Sequence, residues 1–249
     1  MPRPDFTPPR LFVEATLDAG ARVRLERDQA HYLGHVLRLG PGATVLAFNG
    51  RDGEWRTRFS GGKTGHVLTV ETCTRPQPAP GDLVYCFAPL KHARLDYLVQ
   101  KAVEMGADVL QPVITRRTQA ARVNAERMRA NVIEAAEQCG VLAPPEIRPP
   151  LLLANLLAGW SADRLMVFCD EAAETADPLA ALIECGVHRG GALGVIVGPE
   201  GGFDAAERAA LLTLPRRLRL SLGPRILRAD TAAVAALALV QATLGDWRP

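Results

Sequence analysis

The chain has 249 residues, of which 48% are hydrophobic, 22% charged and 5% aromatic; this globular composition excludes a disordered, collagenous or coiled-coil protein. At roughly 100–200 residues per domain, two domains are expected. Net charge is only +2, from 29 basic residues (26 Arg, 3 Lys) and 27 acidic ones, so no global field marks a nucleic-acid partner. Met1–Arg10 is rich in Pro and Arg and has no apolar run, so it is not read as a secretory signal. Short alternating runs follow at Leu11–Leu17, Ala21–Leu25, Ala43–Phe48, Trp55–Phe59 and Val67–Glu71. Turn pairs such as Asn49-Gly50, Asp52-Gly53 and Gly61-Gly62 separate them, which predicts a small β-barrel. One short helix fits at Asp28–Leu37, with Asp28 as its N-cap.

The boundary is Thr74–Gly81, where Pro76, Pro78, Pro80 and Gly81 stop both helix and central strand. The expected division is a barrel over 1–73, a Pro-rich linker over 74–81 and a second domain over 82–249. Beyond the linker, β-branched strands at Leu83–Phe87, Val109–Ile114, Leu165–Cys169, Leu193–Val197 and Leu218–Leu222 alternate with helices. Arg94–Met105 and Asn124–Cys139 are the clearest helices, each closed by a glycine, Gly106 and Gly140. That alternation predicts an α/β domain with a mainly parallel sheet covered by helices. Cys73, Cys86, Cys139, Cys169 and Cys185 form no C-x-x-C pair and read as buried free thiols of a reducing compartment. No apolar stretch is long enough to span a bilayer, so the expected location is the cytoplasm.

The strongest local signal is Gly194–Glu207, where a buried strand ends at Gly198 and Pro199-Glu200-Gly201-Gly202 form a glycine-rich turn. Asp204 and Glu207 then cap the next helix. Glycines let the backbone approach a ligand closely, and ligands of parallel sheets sit beyond the carboxyl ends of the strands. The spacing matches neither a Walker loop nor a dinucleotide fingerprint. A second loop, Gly223–Thr231, follows the last strand, with Asp230 or Thr231 as a natural N-cap for Ala232–Leu244. Two such loops after successive strands point to one shared pocket. Lys91, Arg94 and Lys101 fall near one helical face, and Lys101 can equally pair with Glu104. His31 and His92 have no partners that suggest metal or nucleophilic catalysis, and no Ser/His/Asp or Cys/His set is recognisable. Residues 1–75 carry net +3 and the remainder net −1, while 208–228 hold six Arg and no acid, a usable RNA footprint.

The sequence resembles the bacterial 16S ribosomal RNA uracil-N3 methyltransferases, the RsmE family of the knotted SPOUT methyltransferases. The resemblance rests on His35-Val-Leu-Arg38 with Gly40-Pro-Gly42, Lys91, Gln100-Lys101, Glu104-Met-Gly106 and Glu134–Gln138. Its most specific blocks are Gly198-Pro-Glu-Gly-Gly202 and Leu222-Gly-Pro-Arg-Ile-Leu-Arg228 with Thr231. It implies an N-terminal PUA-like β-barrel for RNA and a C-terminal SPOUT domain with a trefoil knot. It further implies S-adenosylmethionine held by Gly198, Pro199, Gly201, Gly202, Leu222, Gly223, Ile226, Leu227 and Arg228, with S-adenosylhomocysteine as product and no metal.

The implied reaction is methylation of N3 of a uridine in 16S rRNA of the small ribosomal subunit by a homodimer. Glu200 and Asp230 are the candidate acids or orienting groups and Arg228 the candidate anion stabiliser. Arg10, Arg38, Lys91, Arg94, Lys101 and Arg117 are the candidate RNA phosphate contacts. The alternatives are a SPOUT enzyme acting on another RNA base or a ribose, and an RNA-binding or ribosome-assembly module without methyl transfer. Three positions depart from the family pattern: Asp230 replaces Glu, Val141 replaces Arg, and Thr118 replaces Ser or Cys.

Overall fold

The computed structural model describes residues 8–62, 65–91, 93–120, 122–173 and 177–247, so Met1–Thr7 and His92 lie outside the described residues. The chain divides into two compact units, Met1–Ala79 with Ala136–Pro144, and Pro80–Ala135 with Pro145–Pro249.

The first unit contains β1 (Arg10–Phe12), β2 (Arg22–Arg24), β3 (Thr44–Phe48), β4 (Glu54–Gly62) and β5 (Gly65–Arg75), which form one sheet in the order β1-β3-β4-β5-β2. Every pairing is antiparallel except β1 with β3. Alternation along the strands sends Val23, Val45, Ala47, Phe59, Leu68 and Val70 to one core, which Leu33 closes. Strand β5 runs two residues into the segment read as linker: the ladder shifts register at Thr74, whose Oγ1 donates to Glu54 O at 3.0 Å, and resumes at the Glu54–Arg75 pair.

Helix α1 (Arg27–His31) starts one residue earlier than the expected span, with its cap two residues earlier. Glu26, not Asp28, is the N-cap, because it forms a capping box with Gln29, whose Oε1 accepts from Glu26 N–H at 3.1 Å. The helix then widens into a π-turn over Tyr32–Val36, where Leu37 N–H donates to Tyr32 O at 2.9 Å. Arg38 ends it in the left-handed region at φ 54°, a conformation that costs a non-glycine residue about 1–2 kcal/mol.

Glu54, nearly devoid of solvent, sits between Arg10 Nε at 2.8 Å and Arg75 Nη2 at 2.6 Å. Burial pushes the Glu54 carboxyl up, but the bonds from Arg75 and Arg10 outweigh it and hold it below its ordinary range. Arg10 also donates to the carbonyls of Ala136, Glu137 and Val141, and Arg75 to that of Gly140. Arg10 is therefore corrected as an RNA contact: its guanidinium is buried and satisfied inside the first unit. Val141, one of the family departures, takes part through its backbone carbonyl, which accepts from Arg10 Nη2 at 3.0 Å.

In the second unit β6 (Leu83–Phe87), β7 (Val109–Ile114), β10 (Leu165–Cys169) and β11 (Leu193–Val197) occupy the predicted residues. Strand β12 is Arg217–Leu220, shorter than expected, and the order is β12-β10-β11-β6-β7. Two short strands, β8 (Glu146–Ile147) and β9 (Leu151–Leu152), pair in turn with β7. All pairings are parallel. β6 and β11 are buried at every position, which is why they read as unbroken apolar runs.

Helices α2 (Ala93–Glu104) and α3 (Ala125–Cys139) follow their predicted spans within a residue. α2 buries Leu98, Val99, Ala102 and Val103 and packs against α7 (Ala229–Thr243). From α7, Gln241 Nε2 donates to Met105 O at 2.8 Å and Gly106 O at 3.2 Å, satisfying carbonyls at the end of α2. The short helices α4 (Leu153–Ala158) and α5 (Pro178–Ile183) were not expected, although α5 carries a start signal in its N-cap Asp177 followed by Pro178, whereas α6 (Ala205–Leu211) begins at the predicted cap. No helix among the described residues is long and apolar enough to cross a membrane. All five cysteines are free, but of the five only Cys86 is buried as expected; Cys139, Cys169 and Cys185 are partly exposed and Cys73 is exposed, which corrects their reading as buried thiols.

Candidate active site

Both glycine-bearing loops leave the carboxyl ends of strands that flank β10, namely β11 and β12, and line one cleft of about 520 Å³. That volume lies in the range typical of small-molecule sites. After β11, Gly202 N–H donates to Pro199 O at 2.8 Å to close the turn, with Gly202 at φ 68°. Phe203 then folds back edge-on to Phe168, with ring centroids 5.3 Å apart. A Cβ on Gly198 would stand 2.7 Å from the Phe203 ring, so glycine there is what lets the loop close. Asp204 caps α6 in a box with Glu207, as the spacing predicted. After β12, Ser221–Leu227 form the opposite wall, with Gly223 at φ 102° and Ile226 90% exposed.

Of the residues expected at a cofactor, Gly198, Gly202, Leu222, Gly223, Ile226 and Leu227 line the cleft. Pro199 is buried behind the turn, and the Gly201 carbonyl accepts from Arg117 Nη1 at 2.5 Å. The expected caps Asp230 and Thr231 are corrected: α7 starts at Ala229 with Arg228 as N-cap, which places Asp230 in the first turn. A carboxylate there faces the positive end of the helix dipole.

Glu200 and Asp230 do not stand free at the cleft. Arg94, at the start of α2, forms ion pairs with both, reaching Asp230 Oδ2 through Nε at 3.0 Å and Oδ1 through Nη2 at 3.1 Å. The two-pronged bond from Arg94 holds the Asp230 carboxyl below its ordinary range. Arg94 thus ties one loop to the other instead of projecting a free cation. Lys101 pairs with Glu104 at 2.6 Å, as the alternative reading allowed. Arg38, Lys91 and Arg228 are exposed. Thr118, a further departure, accepts from Thr115 N–H at 2.9 Å through its hydroxyl.

Sequence reasoning missed the floor of the cleft. Asp170, directly after β10, is almost wholly buried between Arg208 of α6 (3.1 Å) and Arg219 of β12 (2.8 Å). It also accepts from Ala172 N–H at 3.1 Å. Three pieces of chain that frame the cleft are therefore tied to one carboxylate. Cys169 and Glu171 flank it on the lining. The available signal was position: two acids directly beyond the carboxyl end of a central strand. Burial pushes the Cys169 thiol up to about 12. Among the described residues no group of three or more His, Cys, Asp or Glu is placed to hold a metal ion.

A domain model for RNA methyltransferases matches residues 77–241, which include both loops, and an RNA methyltransferase PUA domain matches 25–70. Ribosomal RNA small subunit methyltransferase E of Rickettsia conorii is 30% identical over 93% of this chain and 94% of its own length. The chain belongs to this methyltransferase E family. The Mycobacterium tuberculosis member is 29% identical over 95% of this chain and 92% of its own. Among solved structures, the family member of Neisseria gonorrhoeae, bound to S-adenosyl methionine, superposes with a TM-score of 0.80 at 26% identity, covering 94% of this chain and 97% of that one. A Legionella pneumophila chain in complex with the cofactor SAM gives 0.82 at 27%, over 96% and 98%. The methyltransferase E fold accordingly comprises a PUA unit and a parallel α/β unit, as the sequence reading expected.

Proposed function

We propose that this chain transfers a methyl group from S-adenosylmethionine to N3 of a uridine in 16S ribosomal RNA of the small subunit, acting in the cytoplasm as a homodimer with a knotted C-terminal unit. The observation that carries this reading is the convergence of two glycine-bearing loops on one cleft at the strand ends of a methyltransferase E family member. The cleft fits the cofactor by its own chemistry: backbone from Gly198, Gly202 and Gly223 is exposed without a Cβ, and Leu222, Ile226 and Leu227 offer apolar contact. When bound, the cofactor supplies an electrophilic methyl group on a sulfonium.

The protein's part is to orient the acceptor and manage the N3 proton. Neutral uracil carries that proton, and the anion left by its departure is spread over O2, N3 and O4. The Arg228 guanidinium, exposed at the start of α7, stabilises that charge. Asp230 and Glu200 are held by Arg94, so their role is to fix the loops, and either accepts the proton only on release from that grip. Arg38 and Lys91 are exposed cations suited to RNA phosphates.

Two measurements test this reading. Calorimetry with S-adenosylmethionine and S-adenosylhomocysteine gives saturable binding that is lost in Gly198→Trp, which fills the turn beside Phe203. Nucleoside mass spectrometry of 16S rRNA after turnover gives 3-methyluridine. A methylated ribose or another methylated base assigns a different acceptor. RNA binding without cofactor binding assigns a module that does not transfer methyl groups.

A further inference from the structure

The turn that follows β7 carries more bonds to the glycine loop after β11 than closing a turn requires. Its two ends are tied by threonines. Thr115 N–H donates to Thr118 Oγ1 at 2.9 Å, Thr118 N–H donates to Thr115 O at 3.2 Å, and the two hydroxyls bond at 2.9 Å. Thr115 is buried, so the turn is anchored, while Arg116 and Arg117 at its centre are exposed. Arg116 meets the capping box of α6 on the oxygens that the box leaves over. Glu207 bonds Asp204 N–H through Oε2 at 3.0 Å and accepts from Arg116 N–H through Oε1 at 2.7 Å. Asp204 accepts from Glu207 N–H through Oδ1 at 2.7 Å and pairs with Arg116 Nη1 through Oδ2 at 3.2 Å. A capping box is complete without those outer bonds, so they serve to join the turn to the loop.

Arg117 reaches the glycines themselves. Its Nη1 donates to Gly201 O at 2.5 Å, and its stem covers the bare Cα, since a Cβ on Gly201 would stand 3.4 Å from Arg117 Cδ. The same peptide unit, Gly201–Gly202, is bonded at its other end, where Gly202 N–H donates to Pro199 O at 2.8 Å. With glycine on both sides, this peptide plane turns over at little steric cost. A flip would break the bond to Pro199 and redirect the backbone of Gly202, which lines the cleft. We infer that Arg117 is a positioning residue that locks the Gly201–Gly202 peptide in its cleft-forming orientation, and that the hydroxyls of Thr115 and Thr118 aim it. The inference rests on the cofactor reading above and moves Arg117 from the RNA phosphates to the wall of the cofactor cleft.

The test joins two measurements on the full chain: calorimetry with S-adenosylmethionine and S-adenosylhomocysteine, and hydrogen exchange of the Gly202 amide without ligand. Arg117→Ala is expected to weaken both ligands about tenfold, the scale of one hydrogen bond from a charged donor, and to speed Gly202 exchange. In turnover the KM for the cofactor rises while kcat at saturation stays native, because the lost interaction binds ground state and transition state alike. Arg117→Lys recovers part of the affinity, since an ammonium on a flexible stem still reaches the carbonyl. Thr118→Val removes the hydroxyl without touching charge and moves both readouts in the same direction. Thr118→Ser keeps the hydroxyl and leaves both native. RNA affinity and its salt slope stay native in all four variants.

Native cofactor affinity in Arg117→Ala, with the native chain binding normally, overturns the inference and leaves the proposed function standing. If the RNA salt slope then falls by about 0.7, the value for one phosphate on a single strand, Arg117 is a phosphate contact instead. If Gly202 exchange or melting temperature changes while cofactor affinity does not, the turn is a structural brace only. A native chain that binds neither ligand overturns the proposed function and the inference together.

Discussion

Each unit of this protein buries one carboxylate between two arginines. Glu54 lies between Arg10 and Arg75 in the first unit, and Asp170 lies between Arg208 and Arg219 in the second. The acids are equally hidden, but their arginines differ. Arg10 is itself buried and continues to backbone carbonyls, so the first cluster keeps one arginine wholly inside while Arg75 reaches the surface. Arg208 lines the cleft and Arg219 is partly exposed, so the second cluster has a ligand-facing side. The same three groups thus brace a core in one place and shape a binding wall in the other. What separates the two roles is that Arg208 of the second cluster faces the cleft, whereas Arg10 of the first is enclosed.

Substitution sharpens the contrast. Glu54→Gln leaves the Arg10 guanidinium buried without its counter-charge and should cost about 3–5 kcal/mol on urea unfolding. Cofactor affinity should be unchanged in the material that folds. Asp170→Asn should cost less stability, because Arg208 and Arg219 can turn toward water, but should weaken S-adenosylmethionine about tenfold in calorimetry, equivalent to about 1.4 kcal/mol. If Asp170→Asn unfolds the protein as severely as Glu54→Gln does, the distinction between brace and binding wall fails.

Arg94→Ala tests a third arrangement, one arginine between two carboxylates. It should lower kcat several-fold at saturating cofactor and shift the acid limb of the pH–rate profile upward, because Asp230 loses the bond that depresses it. An unchanged profile would show that Arg94 acts on loop position alone.

The smallest effect is on the acid limit of stability. Glu54 and Asp230 both have folded values below their unfolded ones, so their contribution is complete above the ordinary carboxylate range, about pH 4. It is lost as the pH falls from there through the lowered folded values. Asp230→Asn should flatten only part of that loss, as followed by thermal melts between pH 5 and pH 2.

The parts of the fold legible in the sequence are those decided by local pattern. β6, β7, β10 and β11 fall on their predicted residues because strands buried on both faces leave continuous apolar runs. The capping box of Asp204 and Glu207 and the paired glycine loops were equally visible, since the residues that make them are neighbours in sequence. Arg10 was misread because its partner, Glu54, lies 44 positions away and nothing local distinguishes a buried arginine from a phosphate-binding one. Arg94 was taken as a free cation for the same reason: Asp230 is 136 positions distant. Asp28 lost the cap to Glu26 because Gln29 completes a reciprocal box only from that position. The short strands β8 and β9 are two residues each, too brief for any period to register.

The thiol of Cys169 bears on how such a cleft escapes its own chemistry. A thiolate is a strong nucleophile, and one beside an activated methyl donor would compete with the RNA for the group being transferred. Although the residue as a whole is half-buried, burial pushes its pKa up to about 12, so at neutral pH the group is the thiol and not the thiolate. With the cofactor bound as proposed, burial protects the enzyme from self-alkylation. Intact mass after prolonged incubation with S-adenosylmethionine should show no added methyl group on Cys169.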